Sequence, residues 1–100
     1  MTKKIDFSII IPIRTPNAYL KETLSYLKKQ TQKNFEVLVI TDKISKTPNP
    51  AQKRNLGAKM AKGKYLAFLD DDSYPEKSWL KNAQKYLEKN KNIAAVCGPC

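Results

Sequence analysis

The sequence contains no histidine. This absence excludes histidine general bases, serine–histidine triads and histidine metal ligands, so a metal ion here would need oxygen or sulfur ligands. No apolar run approaches the roughly 20 residues of a membrane-spanning helix. Asp6 interrupts the apolar stretch near the N-terminus and no small-residue cleavage site follows, which disfavours a signal peptide. We therefore expect one small domain in the cytoplasm.

Arginine is scarce in a strongly basic chain. Of 19 basic residues against 9 acidic ones, only Arg14 and Arg54 are arginines, and the net charge is +10. Lysines scattered along the whole chain are typical of a solvated surface. The arginine forks with interleaved aromatics that nucleic-acid readers favour are absent, so no nucleic-acid partner is expected. A basic, non-enzymatic module that binds a nucleotide or nucleic acid stays the alternative to an enzyme.

Cysteine is limited to Cys97 and Cys100, in the sequence Cys-Gly-Pro-Cys. This is the spacing of thioredoxin-type redox motifs, in which the first cysteine begins a helix. Here the motif stands at the C-terminal end, without a helix after it. Incidental cysteines are favoured over a redox role or a zinc site.

Four apolar runs recur at nearly constant spacing and predict four strands. They are FSIIIPI from 7, FEVLVI from 35, KYLAFL from 64 and IAAVC from 93. Each is nearly continuous and rich in β-branched or aromatic residues, as in strands buried on both faces of a parallel sheet. Segments with helical spacing separate them. The sequence therefore predicts a β-α-β-α-β-α-β order and an α/β fold with a Rossmann-like, doubly wound parallel sheet.

Helix ends are also marked in the sequence. Asn49 and Pro50 predict an N-cap and a first helical position, and Gly63 predicts the end of that helix. Pro75 with Glu76 predicts the start of the next helix. The segment 43–50 is expected to be one long loop.

Polar residues follow three of the predicted strands. In open parallel sheets, ligands bind at the carboxyl ends of the strands. This places Pro12 and Arg14, Asp42, and the run Asp70, Asp71 and Asp72 at one rim. Carboxylates suit a divalent ion such as Mg²⁺ or Mn²⁺, and arginine suits a phosphate. The alternatives are a solvated turn that caps the next helix, an ordinary turn acid at Asp42 and surface arginines.

These motifs together resemble the N-terminal, nucleotide-sugar-binding half of family 2 glycosyltransferases, which have the GT-A fold. The resemblance covers nearly all 100 residues. It implies that Asp42 contacts the uracil or other base, and that Asp70 to Asp72 form the DxD-type motif. The first of these carboxylates would reach the ribose and Asp72 the metal ion on the donor diphosphate. The turn from Pro12 to Arg14 and the helix with Arg54, Asn55 and Gly57 would flank the donor.

The function implied by the resemblance is transfer of a sugar, with inversion, from a nucleotide-diphosphate sugar to an unknown acceptor. Mn²⁺ or Mg²⁺ would be the cofactor. The catalytic base and the acceptor-binding half would lie beyond Cys100, and that part could bring the protein to the inner face of the membrane. Thr41 stands where many relatives have an acid, so the base of the nucleotide stays open. A dehalogenase-type phosphatase is a weaker alternative, because its Asp-x-Asp motif follows the first strand.

Overall fold

The computed structural model describes residues 4–90, 92 and 95–97. It contains the predicted strands and helices in the predicted order, with one additional short helix after β2. They are β1 (Ile5–Pro12), α1 (Ala18–Lys28), β2 (Phe35–Ile40), α2 (Asp42–Ser45), α3 (Pro50–Met60), β3 (Gly63–Phe68), α4 (Trp79–Lys89) and β4 (Ala95–Cys97). Cys100 and the Gly-Pro turn before it lie outside the described residues, so the redox question is not addressed by the structure.

The four strands form one parallel sheet in the order β2-β1-β3-β4. In register, Ile9 of β1 lies beside Val37 of β2 on one side and Ala67 of β3 on the other. The chain thus first moves outward from β1 to β2 and then crosses to the other side of β1. Strand order reverses at β1, and a crevice is expected at the carboxyl ends there. The predicted fold class is confirmed.

Helices cover both faces of the sheet. Phe7, Ile9 and Ile11 alternate along β1 and share one buried cluster with leucines of α1 and α4, which are Leu20, Leu27, Leu80 and Leu87. On the opposite face, Gly57 of α3 lies over Ile10. β1 is therefore buried on both faces, as predicted. β2 is an edge strand, and only Ile40 in it is fully buried.

The predicted start of α3 is confirmed, but that of α4 is wrong. Asn49 Oδ1 accepts a hydrogen bond from Gln52 N at 3.2 Å, with Pro50 at the first helical position. α4 begins only at Trp79, because the stretch before it is held in another way. The fully buried side chain of Gln30 donates to Glu76 O at 2.6 Å and accepts from Leu80 N at 3.0 Å.

Two further predictions about chain turns are wrong. Gly63 does not end α3; the helix ends at Met60, and Gly63 is the first residue of β3. Segment 43–50 is not one long loop, because α2 occupies its start. Thr41 Oγ1 accepts from Ile44 N at 3.3 Å to begin α2, and Lys46 ends it in the left-handed conformation at φ 59°.

A buried serine connects the amino-terminal ends of three strands. Ser8 Oγ accepts from Gly63 N at 2.8 Å and donates to Glu36 Oε2 at 2.6 Å. Lys62 N also donates to Glu36 Oε2, at 2.6 Å. Burial alone would raise the pKa of Glu36, but these hydrogen bonds outweigh it and lower the pKa from 4.5.

Replacing Glu36 with glutamine is expected to cost about 1 kcal/mol of stability at neutral pH. A carboxylate whose pKa is lowered by folding stabilises the protein above its unfolded pKa, and this contribution is lost as the pH falls through the folded value. The deficit of the variant should therefore shrink as the pH falls below 4.5. Urea unfolding at several pH values checks this, with Glu88→Gln on the exposed side of α4 as the control. A deficit that is constant with pH would contradict it.

Candidate functional site

A cleft of about 620 Å³ opens at the carboxyl ends of β1 and β2. Its walls are formed by the β1–α1 loop, the starts of α2 and α3, and the segment after β3. The lining residues are Pro12, Ile13, Arg14, Thr15, Asn17, Asp42, Pro48, Pro50, Lys53 and Asp71. Four of the predicted site residues thus share one cleft, while Arg54, Asp70 and Asp72 are not among its lining residues.

Backbone hydrogen bonds beyond the strand ends hold the two sides of the cleft together. Ile13 N donates to Ile40 O at 3.0 Å, and Asp42 N donates to Arg14 O at 3.1 Å. The ladder between β1 and β2 therefore continues past Pro12. This continuation places Arg14 beside Asp42, although 27 residues separate them in the chain.

The Asp42 carboxylate lies between two cations. Lys53 of α3 is only 2% exposed, and its ammonium forms an ion pair with Asp42 Oδ1. Asp42 Oδ1 is buried and accepts no hydrogen bond of regular geometry from the described residues. Its interaction with Lys53 is therefore electrostatic. Arg14 Nε lies 4.0 Å from Oδ2, but the Arg14 side chain is 86% exposed. Solvent screening leaves the Arg14 pair weak, whereas Lys53 is fixed by burial.

Lys53 is the residue that the sequence analysis missed. The resemblance drew attention to its neighbour Arg54, which points away from Asp42 toward Asp70. The signal was nevertheless present, since Lys53 lies four residues before Gly57 and so shares the side of α3 that packs on the sheet. A lysine on the buried side of a helix needs a carboxylate partner.

The three consecutive aspartates have three different environments. Asp70 is 69% exposed on its side chain and lies 3.9 Å from Arg54 Nη2. Asp71 Oδ2 accepts from Asn17 Nδ2 at 3.0 Å. Asp72 is exposed. Among the described residues, no three acidic or cysteine side chains lie close enough together to hold a metal ion by themselves. Mg²⁺ needs only one or two carboxylates when phosphates and waters complete its shell, and exposed Asp72 fits that role.

Two hydrogen bonds connect the loop after β3, residues 69–74, to helix α1. Thr23 Oγ1 donates to Asp71 O at 2.6 Å, and Tyr74 Oη donates to Glu22 Oε2 at 2.9 Å. The rings of Tyr74 and Tyr26 pack with centroids 5.1 Å apart. The hydrogen bond to the Glu22 carboxylate favours the neutral phenol and raises the pKa of Tyr74 to about 12. These contacts fix where Asp70 to Asp72 stand relative to the cleft.

Replacing Glu22 with glutamine is expected to lower the pKa of Tyr74 from about 12 back toward 10. The reason is that a neutral amide oxygen accepts a weaker hydrogen bond from the phenol than a carboxylate does, and it no longer repels a phenolate. Carbon-13 NMR of the labelled tyrosine ring through an alkaline titration measures this. Glu88→Gln, which also removes one exposed carboxylate, should leave the Tyr74 curve unchanged. A wild-type Tyr74 that titrates near 10 would contradict the contact.

No helix in the part of the chain that the structure describes is long and apolar enough to cross a membrane. The cytoplasmic location expected from the sequence stays a prediction.

Comparisons with known proteins agree on one family. The sequence model of "Glycosyl transferase family 2" matches residues 44–99. A glycosyltransferase of Rickettsia felis is 36% identical over 86% of this chain, which is 18% of the relative's length. The amylovoran biosynthesis glycosyltransferase AmsB of Erwinia amylovora is 30% identical over 87% of this chain and 37% of its own.

Solved structures give the same result. A crystal structure of Staphylococcus aureus TarS superposes with a TM-score of 0.75 and 27% identity, over 87% of this chain and 33% of that chain. A second TarS structure, in complex with UDP-GlcNAc, gives a TM-score of 0.70. TarS is a poly(ribitol-phosphate) β-N-acetylglucosaminyltransferase. The chain thus spans about a fifth to two fifths of the length of these relatives.

Proposed function

The chain belongs to glycosyltransferase family 2, and on this premise we propose that its cleft binds the donor, a nucleotide-diphosphate sugar, for sugar transfer. The observation that carries the proposal is the cleft itself. It lies at the carboxyl ends of the strands where strand order reverses, and it holds Asp42 and Arg14 side by side. The structural likeness to TarS, which has been crystallised with UDP-GlcNAc, supports a nucleotide sugar as the ligand.

Each residue has a chemical role in this proposal. Asp42 accepts a hydrogen bond from an N–H group of the base. The exposed guanidinium of Arg14 is free to leave Asp42 and pair with a phosphate, since a surface ion pair stabilises by less than about 1 kcal/mol. Pro12 ends β1 and shapes the turn that carries Arg14. Asp70 reaches the ribose, with Arg54 beside it. Asp71 accepts a hydrogen bond from Asn17 and forms part of the cleft wall.

The proposed cofactor is Mn²⁺ or Mg²⁺, which Asp72 would hold together with the donor diphosphate. The ion, when bound, neutralises charge on the leaving diphosphate. Asp72 fits because it is exposed at the end of a loop that contacts with α1 hold in place. Of its neighbours, Asp71 accepts a hydrogen bond from Asn17, and exposed Asp70 is the carboxylate proposed to reach the ribose.

Transfer also needs an acceptor site and a base that deprotonates the acceptor. We place both outside these 100 residues, because the relatives are about three to six times as long as the part matched here. We propose an inverting reaction, as the resemblance to family 2 glycosyltransferases implies, with this chain supplying the donor side. The acceptor is left unassigned.

Calorimetric titration of UDP with and without Mn²⁺ tests the proposed function. We expect Mn²⁺ to tighten UDP binding by about tenfold or more, since Asp72 would hold the ion and the ion would neutralise the charge of the diphosphate. Asp72→Asn should remove that gain, while Glu88→Gln, which changes net charge equally on α4, should retain it. Salt-sensitive RNA binding that is indifferent to Asp72→Asn, without UDP binding, would favour the basic-module alternative instead.

A further inference from the structure

The buried Lys53 leaves Asp42 with one usable oxygen. Lys53 is 2% exposed and its ammonium occupies Asp42 Oδ1, which is buried. The carboxylate as a whole is 32% exposed, so the accessible part is Oδ2, on the side facing Arg14. A ligand in the cleft therefore meets a single carboxylate acceptor with a fixed positive charge behind it.

The position of Lys53 is fixed by the packing of helix α3 on the sheet. Lys53 N donates to Asn49 O at 3.1 Å in the first turn of α3, and Gly57 one turn later holds that helix close to Ile10 of the sheet. The exposed Arg14 side chain, by contrast, is 86% solvent-accessible and can move away. Of the two cations at Asp42, Lys53 is the one that stays in place when a ligand enters.

Nucleic-acid bases differ in what their pairing edges offer to such a carboxylate. Uracil presents one imide N–H between two carbonyl oxygens. Guanine presents two adjacent donors, a ring N–H and an exocyclic amine, which match both oxygens of a free carboxylate. Cytosine presents a lone pair at the ring position where uracil has its N–H. A single acceptor flanked by positive charge complements the uracil pattern, and it cannot accept both adjacent donors of guanine.

We propose that Lys53 is a specificity-determining positioning residue that selects a uracil-type base over guanine by occupying one oxygen of Asp42. The inference rests on the proposed function, because it assumes that a nucleoside diphosphate enters this cleft. It goes beyond that function by naming the base and a residue that acts through Asp42. The ammonium excludes the two-donor edge of guanine and favours a carbonyl beside the imide N–H.

The test measures the affinities of UDP, GDP and CDP for the wild-type chain and for Lys53→Met. In the wild type we expect UDP to bind about tenfold to a hundredfold more tightly than GDP, the discrimination that one well-placed set of base contacts provides. CDP has the size of UDP, and its single amine donor beside a ring lone pair also suits one acceptor next to a cation, so CDP serves as the second pyrimidine against which GDP is compared. Methionine has a similar length without the charge and frees Asp42 Oδ1 for a second donor.

In Lys53→Met the UDP-to-GDP affinity ratio should fall by about tenfold. Lys59→Met, an exposed lysine in the last turn of the same helix, should leave the ratio unchanged. A ratio that stays the same in Lys53→Met would overturn the inference, because size exclusion of the purine would then explain the preference. Lys53→Arg keeps the cation and should retain the preference.

The possible failures are distinguishable. If the wild-type chain binds none of the three nucleotides, the proposed function is wrong and the inference goes with it. If GDP binds as tightly as UDP to the wild type, and Asp42→Asn weakens both, the proposed function stands and the selection by Lys53 is refuted. Equal binding of UDP and GDP to the wild type would refute the inference even where Lys53→Met does not fold.

Discussion

Replacing Asp42 with alanine is expected to lower the free energy of unfolding by about 3 kcal/mol. The change leaves the ammonium of Lys53, 2% exposed, without its carboxylate. A buried charge that loses its partner keeps its desolvation cost and gains nothing in return. The expected loss is at the lower end of the range for buried pairs, because the Asp42 side chain is 32% exposed and water can reach part of the site.

A double-mutant cycle separates this effect from simple loss of packing. Asp42→Ala combined with Lys53→Met removes both charges, and we expect it to recover about 2 kcal/mol of the loss. Urea unfolding of the four proteins gives the coupling energy directly. A double variant whose loss equals the sum of the two single losses would show that the pair does not couple.

Gly63→Ala is expected to cost about 3 kcal/mol or more. A Cβ atom at Gly63 would stand 2.6 Å from Ser8 N and 2.7 Å from Phe7 C, both in the backbone of the central strand β1. Phe7 and Ser8 are fully buried, and their backbone cannot shift without breaking the hydrogen bonds of β1 to its neighbours. The constraint at Gly63 is this close approach and not a left-handed conformation, because no described glycine has a positive φ.

Gly57→Ala provides the matched control for Gly63→Ala. A Cβ atom there would also be close to its neighbour, 2.5 Å from Ile10 Cγ2, but the neighbour is a side chain. Ile10 can turn or shift slightly, and alanine is better than glycine inside a helix by up to about 1 kcal/mol. We expect a net loss of about 1 kcal/mol, smaller than that of Gly63→Ala. Urea midpoints for both variants check the order, and the reverse order would contradict the packing described for β1.

The sheet could be predicted because its strands carry a strong local signal. The β1 run FSIIIPI is apolar on both faces, and only a strand in the centre of a parallel sheet needs that. The errors came where a tertiary contact replaced the local rule. Pro75 and Glu76 look like a helix start, but buried Gln30 holds Glu76 O and Leu80 N, so α4 begins later. Gly63 looks like a helix end but meets the β1 backbone instead.

The rim of the sheet could be predicted for the same reason, since parallel topology brings strand ends together. The pairing of individual side chains could not. Nothing in the spacing of Arg54 shows that it lies beside Asp70, or that Lys53 reaches Asp42. Such pairs depend on the rotation of α3 about its axis, which the contact of Gly57 with Ile10 determines. The roles of Asp70, Asp71 and Asp72 in donor and metal binding stay predictions.

Backbone amide NMR of the labelled chain during titration with UDP and Mg²⁺ tests most directly whether this cleft is the donor site. We expect the largest shift changes around the cleft, at Thr15, Asn17, Asp42, Lys53 and Asp71, with further changes at Asp72 that depend on Mg²⁺. The exposed lysines of α4, such as Lys85, should not respond. Changes centred on α4, or no changes at saturating UDP, would contradict donor binding in the cleft.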